Sequence, residues 1–354
     1  MNLKLAIQPD EVIHHNGERQ SYSERWVQLA HEHGIKVIPV DVYSRDVIKQ
    51  ISECDAFMWR YDPPAFPRLY ARRLLYTVET TLHLPVFPAL SSSWHVEDKI
   101  AQAYFFSAAG IPSPITEVFW THQAAAEFCA SASYPFVIKL STGYQSSNVR
   151  LVRNRDEALF YADQLFGSGM MSLGYLPASG PRLFLRRIRS AFKMLRRQDN
   201  YDTTIESELQ QGYFLAQEFL PGNAFDVRIT IIGNRAFGFR RFNRPGDFRA
   251  SGSGRVDWNP KEIDIRVVRL AFEVARRSDA QTIAVDVIRR GNDPVIVELN
   301  LTYASWAIRE CPGHWTLDGD PESGELKWVD GSMRPEDAIF TDFVGSLLQE
   351  RVEA

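Results

Sequence analysis

The sequence predicts an α/β protein in which an open α/β domain precedes two α+β subdomains, a small one and a large one. Three observations point there. Short apolar strands alternate with amphipathic helices across residues 1–115. Two later runs fold back at glycine-containing turns, Gly233-Asn234 and Gly291-Asn292, as antiparallel hairpins do. The chain has 354 residues, 45% hydrophobic and 24% charged, which is enough apolar material for more than one core.

In chain order, Leu3 to Ile7, Lys36 to Val42 and Asp55 to Trp59 read as strands. Ser21 to His33 and Pro67 to Leu82 read as helices. No Gly-x-Gly-x-x-Gly follows the first strand, so a dinucleotide fingerprint is missing. His14 and His15 fall in a polar loop and read as idle surface histidines. A helix from Val96 to Ala109 stops at Gly110-Ile111-Pro112. Residues 116–224 form the second part, with strands Thr116 to Trp120, Pro135 to Leu140, Val149 to Val152 and Phe214 to Phe219. Helices from Gln123 to Ser131 and Asp156 to Phe166 lie among them. Residues 225–354 carry two hairpins and helices at Ile263 to Arg277 and Pro335 to Glu350. The stretch 167–212 contains Arg182, Arg186, Arg187, Arg189, Lys193, Arg196 and Arg197 and reads as a solvated insertion rather than an anion-binding helix.

A net charge of −4 gives no case for bulk nucleic-acid or membrane binding. Three scattered cysteines, Cys54, Cys129 and Cys311, suit free thiols in a reducing cytosol. The first residues are too short an apolar run for a signal peptide, and a cytoplasmic protein is expected.

The chemistry concentrates in the hairpins. Centring the second turn on Gly291 and Asn292 sets Asp286 opposite Glu298, with Asn300 two residues on along the same face. Like charges so placed ask for a counter-ion, and two carboxylates with an amide oxygen suit Mg²⁺, or Mn²⁺, that also grips phosphates. Lys139 lies in an apolar strand before a small-residue loop, and either holds a phosphate as a point charge or snorkels to the surface, the commoner case for a strand lysine. In the first hairpin Asp226 opposes Arg241, a structural ion pair. Arg228 has no such partner within that hairpin, which leaves its planar fork for a carboxylate or phosphate. Arg60 follows a strand of the open sheet, where such sheets place ligand loops, or pairs with Asp62.

This ordered set resembles the ATP-grasp superfamily, in the branch of glutathione synthetase and the RimK-like amino-acid ligases. The resemblance implies an ATP-grasp fold behind a Rossmann-like domain. Asp98-Lys99 with Gly110 to Pro114, Lys139-Leu140 with Gly143, Gln145 and Val149, and Gly246-Asp247-Phe248-Arg249 carry it. So do Gln217-Glu218-Phe219-Leu220-Pro221-Gly222 and the trio Asp286, Glu298 and Asn300.

By that resemblance Lys99, Lys139, Gly143 and Gln145 bind the phosphates of ATP, and Gln217, Glu218, Phe219 and Leu220 the adenine. Asp226 lies near the ribose, and Asp286, Glu298 and Asn300 hold magnesium. Arg228, Arg241 and Arg249 serve the reacting carboxylate, while Arg60, Tyr303 and Ser305 border the acceptor.

The implied activity is ATP-dependent joining of a small-molecule or polymer-end carboxylate to an amine through an acylphosphate. The superfamily's dimerisation allows a homodimer. A phosphotransferase acting on a hydroxyl, or a nucleotide-binding protein without turnover, are the alternatives. The chain departs from the family where Ser146-Ser147-Asn148 replaces flap glycines and Leu301-Thr302-Tyr303-Ala304-Ser305 follows Asn300.

Overall fold

A helix begins where Ser21 accepts a hydrogen bond from the Glu24 amide, and its Tyr22, Trp26, Leu29 and Ala30 turn inward. This helix, Tyr22–Glu32, covers a four-stranded parallel sheet in the order Lys36–Pro39, Lys4–Ile7, Ala56–Met58, Val86–Phe87. The computed structural model describes residues 3–10, 12–15, 18–61, 65–143, 148–172, 176–177 and 208–353. The basic run Arg182 to Arg197, with Gln145 and Asp62, lies outside them. His14 and His15 belong to a small hairpin, Ile13–His15 with Glu18–Gln20, rather than to a loop.

A second sheet of four antiparallel strands follows, ordered Thr116–Phe119, Phe214–Glu218, Phe136–Lys139, Val149–Val152. Helices His122–Ser131 and Arg155–Phe166, capped by Thr121 and Asn154, close one face around Phe136, Ile138 and Phe214.

The third sheet has seven strands. Its path runs Asp293–Asn300, Thr282–Arg290, Phe225–Ile232, Arg235–Phe242, Gly313–Asp318, Glu325–Asp330, and Val256–Asp257 pairs with Arg235–Phe242 off that path. Helix Ile265–Arg277 buries Val267, Val268, Ala271 and Phe272 on one face of it. The other face is reached by Phe237 and Phe239, which share a core with Trp26 and Phe87 of the first part and Phe340 of helix Pro335–Glu353. The first and third sheets are thus joined by one apolar core.

Both expected turns are two residues long, and Gly233 and Gly291 sit at φ 55° and 61°. The last part holds three hairpins, not two. The third, Gly313–Asp318 with Glu325–Asp330, is pinned by Trp315 against Trp328 at 4.8 Å. A short helix, Ser305–Arg309, was also not expected.

Candidate active site

The pairing across Thr282–Arg290 and Asp293–Asn300 places Asp286 opposite Glu298, with a β-bulge between Asp286 and Val287. On its other side Asp286 pairs in register with Arg228 of the neighbouring strand. Arg228 is therefore not free. Its Nε and Nη2 donate to the two Asp286 oxygens at 2.6 and 2.7 Å. Arg241 lies opposite Asp226, donates to it at 2.8 and 2.7 Å, and reaches Asp286 at 2.8 Å. Burial works against the Asp286 charge, yet the two guanidiniums outweigh it and hold its carboxyl at about 2. The like-charge pair is neutralised by the chain's own cations, and Glu298 takes Lys99 at 3.1 Å.

Lys99 is the first residue of helix Lys99–Ala109, which starts three residues later than expected because Asp98 caps it through the Ala101 amide. Gln102, one turn on, exchanges hydrogen bonds with the backbone of Leu299 at 2.8 and 3.0 Å. That exchange fixes the helix beside the strand carrying Glu298. The Lys99 ammonium donates to the Gly143 carbonyl at 3.1 Å. Burial lowers its pKa, but Glu298 and Glu97 more than offset this and hold it above the usual value.

Lys139 comes from the second sheet and is also buried. Burial pulls its ammonium down to about 8, with Glu298 acting the other way. Two buried lysines from separate elements thus converge on one glutamate.

Between the second and third sheets lies a cavity of about 150 Å³. Its wall includes Lys99, Lys139, Gln217, Glu218, Phe219, Leu220, Asp226, Arg241, Arg249, Asp286 and Glu298, eleven of the residues the sequence singles out. The strand end Gln217–Glu218 is held by Gln217 donating to Thr116 and by Arg290 on Glu218. Phe219 meets Phe248 edge-on at 5.6 Å, and Arg249 is drawn back to Asp247 in its own loop.

Gly143, Arg228 and Asn300 do not line this cavity; Gly143 and Arg228 bond Lys99 and Asp286, which do, and Asn300 lies two residues beyond Glu298. Arg60 and Tyr303 meet elsewhere, in a cleft of about 20 Å³ with Tyr22 and Tyr61. There Arg60 lies 4.6 Å above the Tyr22 ring and 3.5 Å from the Tyr303 carbonyl. Ser305 is buried at the start of its short helix. A larger open groove of about 810 Å³ beside Arg235, Trp306 and Arg309 contains none of the expected residues.

The sequence reading passed over Glu97. Its carboxyl is buried beside Lys99 and Glu298, burial raises it to about 7, and its backbone is left-handed at φ 53°. Two arginines of helix Ala65–Thr80 hold this turn, Arg68 donating to the Glu97 carbonyl and Arg72 to that of Val96. No local pattern announces Glu97; Asp98 as a helix cap was the available signal.

For a divalent cation the set offers Asp286, Glu298 and the buried Asn300, whose amide nitrogen has no hydrogen-bond partner. Among the described residues no three His, Cys, Asp or Glu gather closely enough to bind a metal by themselves. Three of the four lone-pair directions of Asp286 are taken by guanidinium N–H groups, whereas Glu298 gives one oxygen to Lys99 and keeps the other. The second Glu298 oxygen and the Asn300 amide oxygen suit Mg²⁺, which retains water and takes further ligands from phosphate, with Asp286 left one lone pair to add.

Residues 190–310 match the family described as the RimK-like ATP-grasp domain. A RimK domain protein ATP-grasp from Sphaerobacter thermophilus DSM 20745 superposes with TM-score 0.52 at 17% identity, over 96% of this chain and 99% of that one. D-Alanine–D-alanine ligase from Bacillus anthracis, complexed with ATP, gives 0.52 at 12% identity over 99% of both chains. The fold is that of the ATP-grasp superfamily. N5-carboxyaminoimidazole synthetase from Staphylococcus aureus, complexed with ADP, shares this ATP-grasp fold with TM-score 0.51 at 12% identity, over 86% of this chain and 72% of that one. No curated protein matches the sequence significantly.

Proposed function

We propose that this ATP-grasp protein is an ATP-dependent ligase that joins a carboxylate to an amine through an acylphosphate. One observation carries the reading: Lys99 and Lys139, both buried, reach the same cavity wall as Glu298 and Asp286. Buried lysines are costly unless an anion meets them, and a nucleotide's phosphates supply it. The match to D-alanine–D-alanine ligase, a ligase of the same fold, supports the kind of reaction.

In this mechanism the adenine lies along Gln217 to Leu220, and Lys99 and Lys139 hold the phosphate chain as point charges. Asp286 and Glu298, with Asn300, are the residues that would hold Mg²⁺, whose charge lowers the cost of anion approaching anion. The substrate carboxylate attacks the γ-phosphorus, the bond to the ADP oxygen breaks, and an acylphosphate forms. The amine then attacks the acyl carbon, inorganic phosphate leaves and the amine gives up a proton. Arg241 and Arg249, on the cavity wall, stabilise charge on the transferred group. Arg228 acts from behind by holding Asp286. Asp226 is spent on Arg241 and shapes the ribose end through it. Arg60, Tyr303 and Ser305 are assigned to the acceptor side, where the Arg60–Tyr303 cleft of about 20 Å³ must open to admit it.

We take residues 1–115, 116–224 and 225–354 as the three parts of the enzyme. Among the described residues no helix is long and apolar enough to cross a membrane. Three free, buried cysteines fit the cytoplasm we assign.

The test is ADP release with magnesium across a panel of amino, peptide and sugar acids, with hydroxylamine as trap. Hydroxamate formed in step with ADP supports ligation. A stable phosphoester and no hydroxamate would move the protein to the phosphotransferases.

A further inference from the structure

Glu208 has no role assigned above, yet it joins two parts of the fold close to the turn that meets Lys99. Its carboxylate receives Arg68 Nη2 at 2.9 Å on both oxygens. Arg68 belongs to helix Ala65–Thr80 on the first sheet and is 3% exposed, while the Glu208 side chain stays 23% exposed, so the pair is partly desolvated. One Glu208 oxygen also accepts the Thr142 hydroxyl at 2.5 Å. Thr142 Oγ1 in turn accepts from Gln210 at 3.1 Å, and the Thr142 carbonyl accepts from Asn148 at 2.6 Å. The next residue, Gly143, gives its carbonyl to the Lys99 ammonium. A continuous chain therefore runs from Arg68 through Glu208 and Thr142 to the lysine.

We propose that Glu208 is a positioning residue for the phosphate end of the cavity. Anchored by Arg68, it fixes the Thr142–Gly143 turn and through it the ammonium of Lys99. This rests on the ATP-grasp reading of the cavity. Its consequence is selective: the adenosine end, built from Gln217 to Leu220 on another strand, does not depend on it.

Thr142→Val exchanges the hydroxyl for a methyl of similar size and leaves the Arg68–Glu208 pair in place, at the cost of the Gln210 hydrogen bond, and thermal unfolding checks that the fold is retained. Thr142→Ser restores the hydroxyl, and Glu208→Gln keeps the shape while removing the charge. Calorimetry with ATP and with adenosine, magnesium present, reads the effect. The expected result is roughly tenfold weaker ATP binding for Thr142→Val, the size of one hydrogen bond to a charged group. Glu208→Gln is expected to weaken ATP in the same direction, Thr142→Ser to bind as the unaltered protein does, and adenosine affinity to stay constant throughout. Unchanged ATP affinity in Thr142→Val, or an equal loss for adenosine and ATP, overturns the positioning role. If the unaltered protein binds neither compound, the nucleotide reading itself falls, and the role with it.

Discussion

Asp286 faces Glu298 directly across the hairpin ladder, yet each carboxylate answers to a different cation: Arg228 and Arg241 for the first, Lys99 for the second. The division separates a structural acid from an available one. Glu298 keeps an oxygen for a ligand, while Asp286 is largely committed to the fold.

Glu298→Gln is therefore expected to preserve the fold and remove magnesium-dependent turnover. Loss of one charge-stabilising group at a reacting centre costs on the order of 10²-fold or more in kcat. ADP release measured against magnesium concentration checks it, with thermal unfolding as the control. Near-normal turnover would contradict the metal assignment.

Asp286→Ala should act on stability first. It strands the Arg228 guanidinium, while Arg241 keeps Asp226, and breaking a buried ion pair costs about 3–5 kcal/mol, measurable in urea. The pH dependence has a definite sign. The Asp286 carboxyl is lowered from 3.8 to about 2 on folding, so its contribution is present above the unfolded value. It is lost as pH falls through about 2. The alanine variant should lack that acid-range loss.

Lys139 gives the opposite signature. Its ammonium falls from 10.5 to about 8, so the fold is penalised below about 8 and the penalty fades toward 10.5. Lys139→Met should then be more stable than the unaltered protein at neutral pH while binding ATP less well. In the unaltered protein ATP affinity should decline as pH rises through about 8, by roughly tenfold per unit at the steepest, a limb the methionine variant lacks. Calorimetric titration over that range decides it.

Two glycine substitutions should part company. Gly143 sits at φ 129°, and a Cβ there would come 1.8 Å from Asn148 Nδ2. Gly143→Ala should shift the turn that holds Lys99 and weaken ATP binding more than tenfold. Gly291, at φ 61° with nothing within 4 Å, lies at a hairpin tip. Gly291→Ala should cost about 1 kcal/mol of stability and leave nucleotide binding alone.

The hairpin registers were legible because two-residue glycine turns and period-two alternation leave little freedom. Hence the facing of Asp286 with Glu298 and of Asp226 with Arg241 could be read from the chain alone. The partner of Arg228 could not, since it lies on a strand 58 residues away whose pairing no local pattern reveals. Glu97, Gln102 and Glu208 escaped for the same reason: each acts through contacts distant in sequence. The third hairpin was missed because a longer loop parts its strands and its exposed edge breaks the alternation. The late start of helix Lys99–Ala109 is a different case, for Asp98 carried a capping signal that was outweighed by the apolar Val96.

The ladder of Arg228, Asp286, Arg241 and Asp226 has a consequence for the life of the protein before it works. A chain that balances its acidic centre with its own side chains needs no ligand to complete its interior. On the ATP-dependent reading proposed above, newly made molecules are expected to fold without ATP or magnesium at this ladder.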